Sequence, residues 1–249
     1  MRESSLFTYS SYTSMLSGLL SLDVAFQAFR TDLPREDLAL LRHDVDSEIF
    51  LLDDLASIEH ELGVVSTYFV MLSSTAYNIF SLEARAAIRR VTDMGHSLGL
   101  HFQAEQNEDK SDSELQDLIT QQCRILSDVT ECRVKSFSYH QPSHTMLGRN
   151  LVVPGLVNAY NFRESAGFTY TSDTNMEWRS GHPVELVRSG IRRLQILVHP
   201  MWWTESTIAM CDKWQRVRRS LNNTLVSHWM DRERSLRDLD TGAWFLQEN

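Results

Sequence analysis

Apolar positions along this chain switch repeatedly between strand-like and helix-like spacing. Residues 39–46 run apolar through Leu41 and then close on Arg42, His43, Asp44, Val45 and Asp46, which reads as a buried strand ending in polar groups. Residues 47–63 carry helical spacing, with Ser47 placed to cap the start and Gly63 to stop the end. A β-branched and aromatic run at 64–72 reads as a strand, 81–95 as a helix, 96–102 as a strand, 111–130 as a long helix and 134–140 as a strand. Residues 141–167 look irregular. A short strand is expected at 168–172, an apolar one at 193–200, and a long helix from near Thr204. Upstream, residues 8–30 read as a helical extension.

Strands alternating with helices imply βαβ units and a mainly parallel sheet. Repetition without a linker predicts one closed or nearly closed β/α barrel over residues 39–249, with residues 1–38 as a helical extension packed on it. No Gly-x-Gly-x-x-Gly loop follows the first strand, which disfavours a nucleotide-binding doubly wound sheet.

Composition narrows the function classes. With 33 acidic against 24 basic residues and a net charge of -9, the chain lacks the basic footprint of a nucleic-acid binder. Its one basic run, Lys213 to Ser220, reads as the solvated face of a helix whose apolar side carries Trp214 and Val217. Cys123, Cys132 and Cys211 have no paired spacing and read as reduced thiols. Neither a signal-like apolar run nor a transmembrane segment is read from the sequence, so the expected location is cytoplasmic.

The polar residues that interrupt the apolar runs share a position. Asp44 and Asp46 fall at the end of the first strand, His101 of the third, His140 of the fourth and His199 of the last. In parallel β/α barrels the C-terminal strand ends form the mouth where reacting groups converge. Carboxylate oxygen and imidazole nitrogen are good ligands for a catalytic zinc, which takes three protein ligands and keeps one position open. Asp44 and Asp46 would project to opposite sides of a regular strand, so both reach the mouth only if strand geometry is lost near Val45. His43 and His96 read as structural. Tyr139, Trp178, Trp202 and Trp203 lie near the rim, as ligand-facing aromatics or as core.

The ordered set of motifs resembles the polysaccharide deacetylases, carbohydrate esterase family 4, in a divergent branch whose first motif reads Arg-His-Asp-Val-Asp, here Arg42 to Asp46. The segment GHSLGLHFQAE (95–105) is similar to the second motif, FSYHQPS (137–143) stands at the third, YTSDTNMEW (170–178) at the fourth and LQILVHP (194–200) at the last. The resemblance implies a single-domain distorted (β/α)7 barrel. It implies Asp44 as catalytic base, Asp46 and His101 as metal ligands, His199 as general acid and Asp173 as the residue orienting His199. Two departures stand out. The family's second metal histidine falls on Glu105, leaving His140 or Glu105 to complete the ligand set. The arginine bracing the catalytic aspartate is missing from the third motif, leaving Arg42 or Arg163 to replace it. The implied activity is metal-dependent, most often Zn2+-dependent, removal of an N-acyl group from an amino sugar in surface-polysaccharide or glycan-precursor metabolism. The expected substrate is a small acylated amino-sugar conjugate, nucleotide- or lipid-linked. The alternative is a non-catalytic sugar-binding or scaffold protein that keeps the fold.

Overall fold

A computed structural model describes residues 7–33, 37–161 and 167–232. Its strands are β1 (Ala25–Phe26), β2 (Leu38–Val45), β3 (Ser66–Val70), β4 (Ser97–Gln103), β5 (Ser136–His140), β6 (Val157–Asn158), β7 (Thr169–Ser172) and β8 (Arg193–Val198). They form one sheet in the order β6-β5-β4-β3-β2-β8-β7, and every pairing is parallel. Strand β1 pairs with Leu38 and Ala39, on the part of β2 that precedes its pairing with β3 at Leu41. The sheet curls into a distorted β/α barrel, and among the described residues the edge strands β6 and β7 do not pair with each other.

Parallel neighbours need long crossovers, and the helices supply them. They are α1 (Tyr9–Leu20), α2 (Asp53–Glu61), α3 (Leu82–Asp93), α4 (Asp112–Thr130), α5 (His144–Gly148), α6 (Pro183–Arg188) and α7 (Met210–Arg232). Helix α4 starts at a capping box, with Ser111 accepting from the Glu114 N–H and Glu114 reaching back to the Ser111 N–H. It turns Leu115, Ile119, Cys123 and Leu126 onto the sheet. Helix α1, capped in the same way by Thr8 and Ser11, buries Tyr12, Met15, Leu16 and Leu19 and packs on α2 and α6.

Side-chain alternation divides the sheet into two faces. On β2, Ala39, Leu41 and Val45 join the outer cores under the helices, while Leu38 and Leu40 join a smaller cluster inside the barrel with Phe69 and Phe168. Gly99 on β4 makes room for that interior packing: a Cβ there would lie 2.4 Å from the Phe69 ring.

Several local expectations are corrected. The N-terminal helix ends at Leu20 rather than 30, because Asp23 turns with φ +59° and the next residues join β2 as a strand. Ser47 caps no helix. Its N–H goes to the Glu48 carboxylate, a short 3-10 turn follows at Ile49–Leu51, and α2 begins only at Asp53. Helix α7 begins at Met210, six residues after Thr204; Val217 is buried as expected, but Trp214 and Lys213 exchange their expected sides. Lys213 is 1% exposed because its ammonium donates to the Phe7 and Trp202 carbonyls and to Thr204 Oγ1, whereas Trp214 is 50% exposed.

Candidate active site at the mouth of the barrel

The interior face of the strands becomes polar towards its C-terminal end. From β2 it presents Arg42 and then Asp44, from β4 His101, from β5 Ser138 and His140, and beyond β8 His199. Strand pairing ends at Val45, so Asp46 leaves the pleat and reaches the same mouth as Asp44. His43, on the opposite face, points to the helix layer, where Nε2 donates to Glu59 at 2.7 Å.

Arg42 is fully buried and holds Asp44 through two parallel hydrogen bonds, Nη2 to Oδ2 at 2.5 Å and Nε to Oδ1 at 3.1 Å. Its guanidinium lies between the Phe69 and Tyr160 rings, 5.5 and 5.0 Å from their centroids. Burial opposes ionisation of Asp44, but Arg42 outweighs it, with help from His101 and His199, and holds the carboxyl down at about 2. Arg42 is therefore the arginine that braces this aspartate; Arg163 lies outside the described residues.

A chain of donors then fixes the histidine orientations. His101 Nδ1 donates to Ser138 Oγ at 2.7 Å, and the Ser138 hydroxyl donates in turn to Asp44 Oδ1 at 3.5 Å. His140 Nδ1 donates to Glu105 Oε1 at 3.0 Å. Nε2 of both rings is thereby turned to Asp46. His101 Nε2 sits 3.1 Å from Asp46 Oδ1, His140 Nε2 sits 3.9 Å from the same oxygen, and His101 Nε2 lies 3.9 Å from Asp44 Oδ2. Asp46 Oδ1 is buried and is met only by these two imidazoles among the described residues. His101 Nε2 and Asp46 Oδ1 therefore need a positive charge between them, either a proton on the imidazole or a cation in its place.

These atoms fit a divalent cation. Ligand bonds of about 2.0–2.2 Å place adjacent tetrahedral donors roughly 3.4 Å apart, and the separations of 3.1 and 3.9 Å straddle that value. As the side chains stand, no group of three or more His, Cys, Asp or Glu among the described residues encloses an ion. Asp46 and His101 form the close pair, and His140 stands one step back on its bond to Glu105.

Across the mouth, His199 is held from one side. Its backbone N–H and its Nδ1 both donate to Asp173, Nδ1 at 2.6 Å, so the ring is held through Nδ1. Asp173 is fully buried and also accepts from Trp203 Nε1 at 2.9 Å. Burial works against a charged His199, but Asp173 outweighs it, with Asp44 and Asp46 adding, and the imidazole is raised to about 9. Glu48 is a further buried acid here: burial, then Asp46, pushes its carboxyl up to about 7, and its Oε1 is buried without a partner.

Other residues singled out from the sequence are placed differently from the core polar set. Tyr139 faces the helix layer, is 2% exposed, and accepts from Asn158 Nδ2. Trp202 and Trp203 are 6% and 2% exposed, packed inward rather than standing at the mouth. Trp178 is half-buried against Phe7 and Trp203. Ser138 carried no signal in the sequence beyond its position two residues before His140, on the same strand face.

No family model matches this chain, and no curated protein matches it. Solved structures do. A chitin deacetylase from the fungal pathogen Colletotrichum lindemuthianum is similar over 80% of this chain and 86% of its own, at 15% identity and a TM-score of 0.46. The CE4 domain of a multidomain xylanase from the hindgut metagenome of Trinervitermes trinervoides is similar over 78% of this chain and 84% of its own, at 15% identity and a TM-score of 0.44. A CE4 family pseudoenzyme from Bacillus anthracis is similar over 77% of this chain and 63% of its own, at 12% identity and a TM-score of 0.39. The solved structures this chain is similar to are thus carbohydrate esterase family 4 proteins and a chitin deacetylase.

Proposed function

We propose that this protein is a metal-dependent hydrolase that removes an N-acyl group, in the first instance acetyl, from an amino sugar. The observation that carries the reading is the pairing of two different devices across one mouth. Asp46 and His101 meet at 3.1 Å with His140 beside them, and His199 stands charged on Asp173 at neutral pH.

Asp46, His101 and His140 would hold the cation, most simply Zn2+, with Glu105 behind His140. A divalent cation at that place supplies acidification of a water and polarisation of the acyl oxygen. Asp44, held near 2, is a weak base and takes a proton only from a water already made acidic, while Arg42 keeps it ionised and aimed. His199, protonated up to about 9, donates from Nε2 to the departing amine, so the C–N bond breaks without expelling an amide anion. Asp173 holds the ring for that transfer and offsets the charge that makes it an acid.

The substrate class we assign is a small N-acylated amino-sugar conjugate, nucleotide- or lipid-linked, following the branch that the first motif resembles. Purified protein incubated with N-acetylated nucleotide sugars, short chitin oligomers and polymeric chitin tests it through acetate release. Faster turnover of the polymer than of any small conjugate overturns the substrate class but leaves the chemistry standing.

A second reading, a sugar-binding protein without turnover, draws on one observation: the described side chains do not enclose an ion as they stand. Stoichiometric metal without acetate release from any acylated sugar selects it.

A further inference from the structure

The N-terminal segment is tied to the back of the proposed acid by a continuous set of contacts. Thr8 and Thr204 form a parallel bridge: the Tyr9 N–H donates to the Thr204 carbonyl at 2.9 Å, and the Thr204 N–H to the Phe7 carbonyl at 3.3 Å. Lys213 clamps the same junction from α7, its ammonium donating to the Phe7 and Trp202 carbonyls. The bridge fixes the segment that carries Trp203. The Trp203 ring is enclosed by Phe7 at 5.1 Å, Tyr12 at 4.8 Å and Trp178 at 6.4 Å between centroids. Its one polar atom, Nε1, donates to Asp173 Oδ2 at 2.9 Å.

That bond has a specific consequence. Asp173 is fully buried, and its carboxylate's other hydrogen bonds come from the backbone N–H and the Nδ1 of His199. The backbone N–H spans both oxygens, which leaves rotation of the carboxylate plane to be set by a further donor. Trp203 Nε1, on separately anchored backbone, supplies it at Oδ2. A neutral indole N–H also spreads the carboxylate charge, which would otherwise bind the imidazolium proton more tightly.

We propose that Trp203 is a positioning residue for His199, acting through Asp173, and that the N-terminal segment from Phe7 to Tyr12 is part of the catalytic assembly because it locks the Trp203 ring. The inference rests on the proposed role of His199 only for its kinetic consequence. The structural relay stands apart from any activity.

Trp203→Phe keeps an aromatic ring and removes the N–H. The charged groups facing His199 are Asp173, Asp44, Asp46 and, from the loop after β2, Glu48; none is altered. Histidine-labelled full-length protein, followed by NMR with pH, reads the result directly. In Trp203→Phe the His199 midpoint is expected to move by roughly half a unit or more, and the downfield resonance of its Nδ1 proton to shift or broaden. Tyr12→Phe serves as the comparison: it keeps its ring on Trp203 but removes a donor from buried Glu59, lowering stability without touching Asp173. If Trp203→Phe leaves the His199 midpoint and its Nδ1 proton where they are, or if Tyr12→Phe moves them equally, the positioning role is wrong. On a substrate that the unaltered protein turns over, Trp203→Phe is expected to lower kcat about tenfold with KM unchanged. Absence of turnover by the unaltered protein would count against the proposed function while the NMR comparison still decides the relay.

Discussion

His140 and Glu105 stand one behind the other, with His140 Nδ1 donating to Glu105 Oε1 at 3.0 Å and His140 Nε2 facing Asp46 Oδ1. The two side chains that the sequence offers for one ligand position are thus ordered along a line, imidazole in front and carboxylate behind. A carboxylate behind a ligating histidine fixes its tautomer and raises its basicity, and losing it typically weakens metal binding 10–100-fold. His140→Ala is therefore expected to lose the metal, while Glu105→Gln keeps it with roughly 10–100-fold weaker affinity, both read by competition with a metal-sensitive dye. Stronger loss from Glu105→Gln than from His140→Ala would reverse the order.

Asp44 and Asp46 separate in the same kind of experiment. Asp46→Ala removes an oxygen facing His101 and is expected to abolish metal content and acetate release together. Asp44→Asn keeps the shape against Arg42 but cannot accept a proton, so metal content should persist while turnover falls by at least about 100-fold. Equal metal loss in both variants would make Asp44 a ligand.

The pH dependence of turnover carries a sign. In the proposed reaction His199 donates a proton, so activity is expected below its raised value of about 9 and is expected to decline as pH rises through it. The charge of Asp173 is the main cause of the elevation, and Asp173→Asn leaves burial less opposed. The alkaline limb of kcat/KM is then expected to move to lower pH. A limb that stays near 9 in Asp173→Asn would show that another group sets it.

Much of the architecture was legible because it is written in local pattern. Strands β2 to β5 and β8 are apolar or alternating runs bounded by turns, and the interior polar residues fall near their ends. What escaped depends on partners far along the chain. Lys213 reads as solvated until Phe7, 206 positions away, supplies a carbonyl for its ammonium. A two-residue strand such as β1 has no period to detect. Ser138 is an ordinary strand residue whose hydroxyl acquires meaning only once His101 and Asp44 lie on either side of it. The rim tryptophans read equally as sugar platforms or as core, and the sequence could not show that Trp203 turns its N–H inward to a buried carboxylate.

The buried hub around Glu59 was also invisible from sequence. Its carboxylate accepts from Tyr12 of α1, His43 of β2, and Ser66 and Tyr68 of β3, and His96 stands 3.5 Å away. Glu59→Ala strands these donors without a partner and is expected to cost about 3–5 kcal/mol of stability by chemical denaturation. Burial depresses His96, so its share of stability is present above the unfolded histidine value near 6.5 and is lost as pH falls below it. Glu59 is also lowered, since His43 and His96 outweigh its burial, and its share is lost at still lower pH. The thermal midpoint should fall as pH drops from about 7 to 4. A midpoint that is flat over that range would mean the hub does not titrate with folding.

The most direct measurement of the central claim joins metal content to catalysis in one preparation. Protein freed of metal by chelation is titrated with Zn2+ while acetate release from an N-acetylated amino-sugar conjugate is followed. The expected result is release that rises with bound metal to a plateau near one ion per chain, with no metal-dependent release from Asp46→Ala. Acetate release at full rate from the metal-free protein, or a plateau that Asp46→Ala reaches equally well, would contradict it.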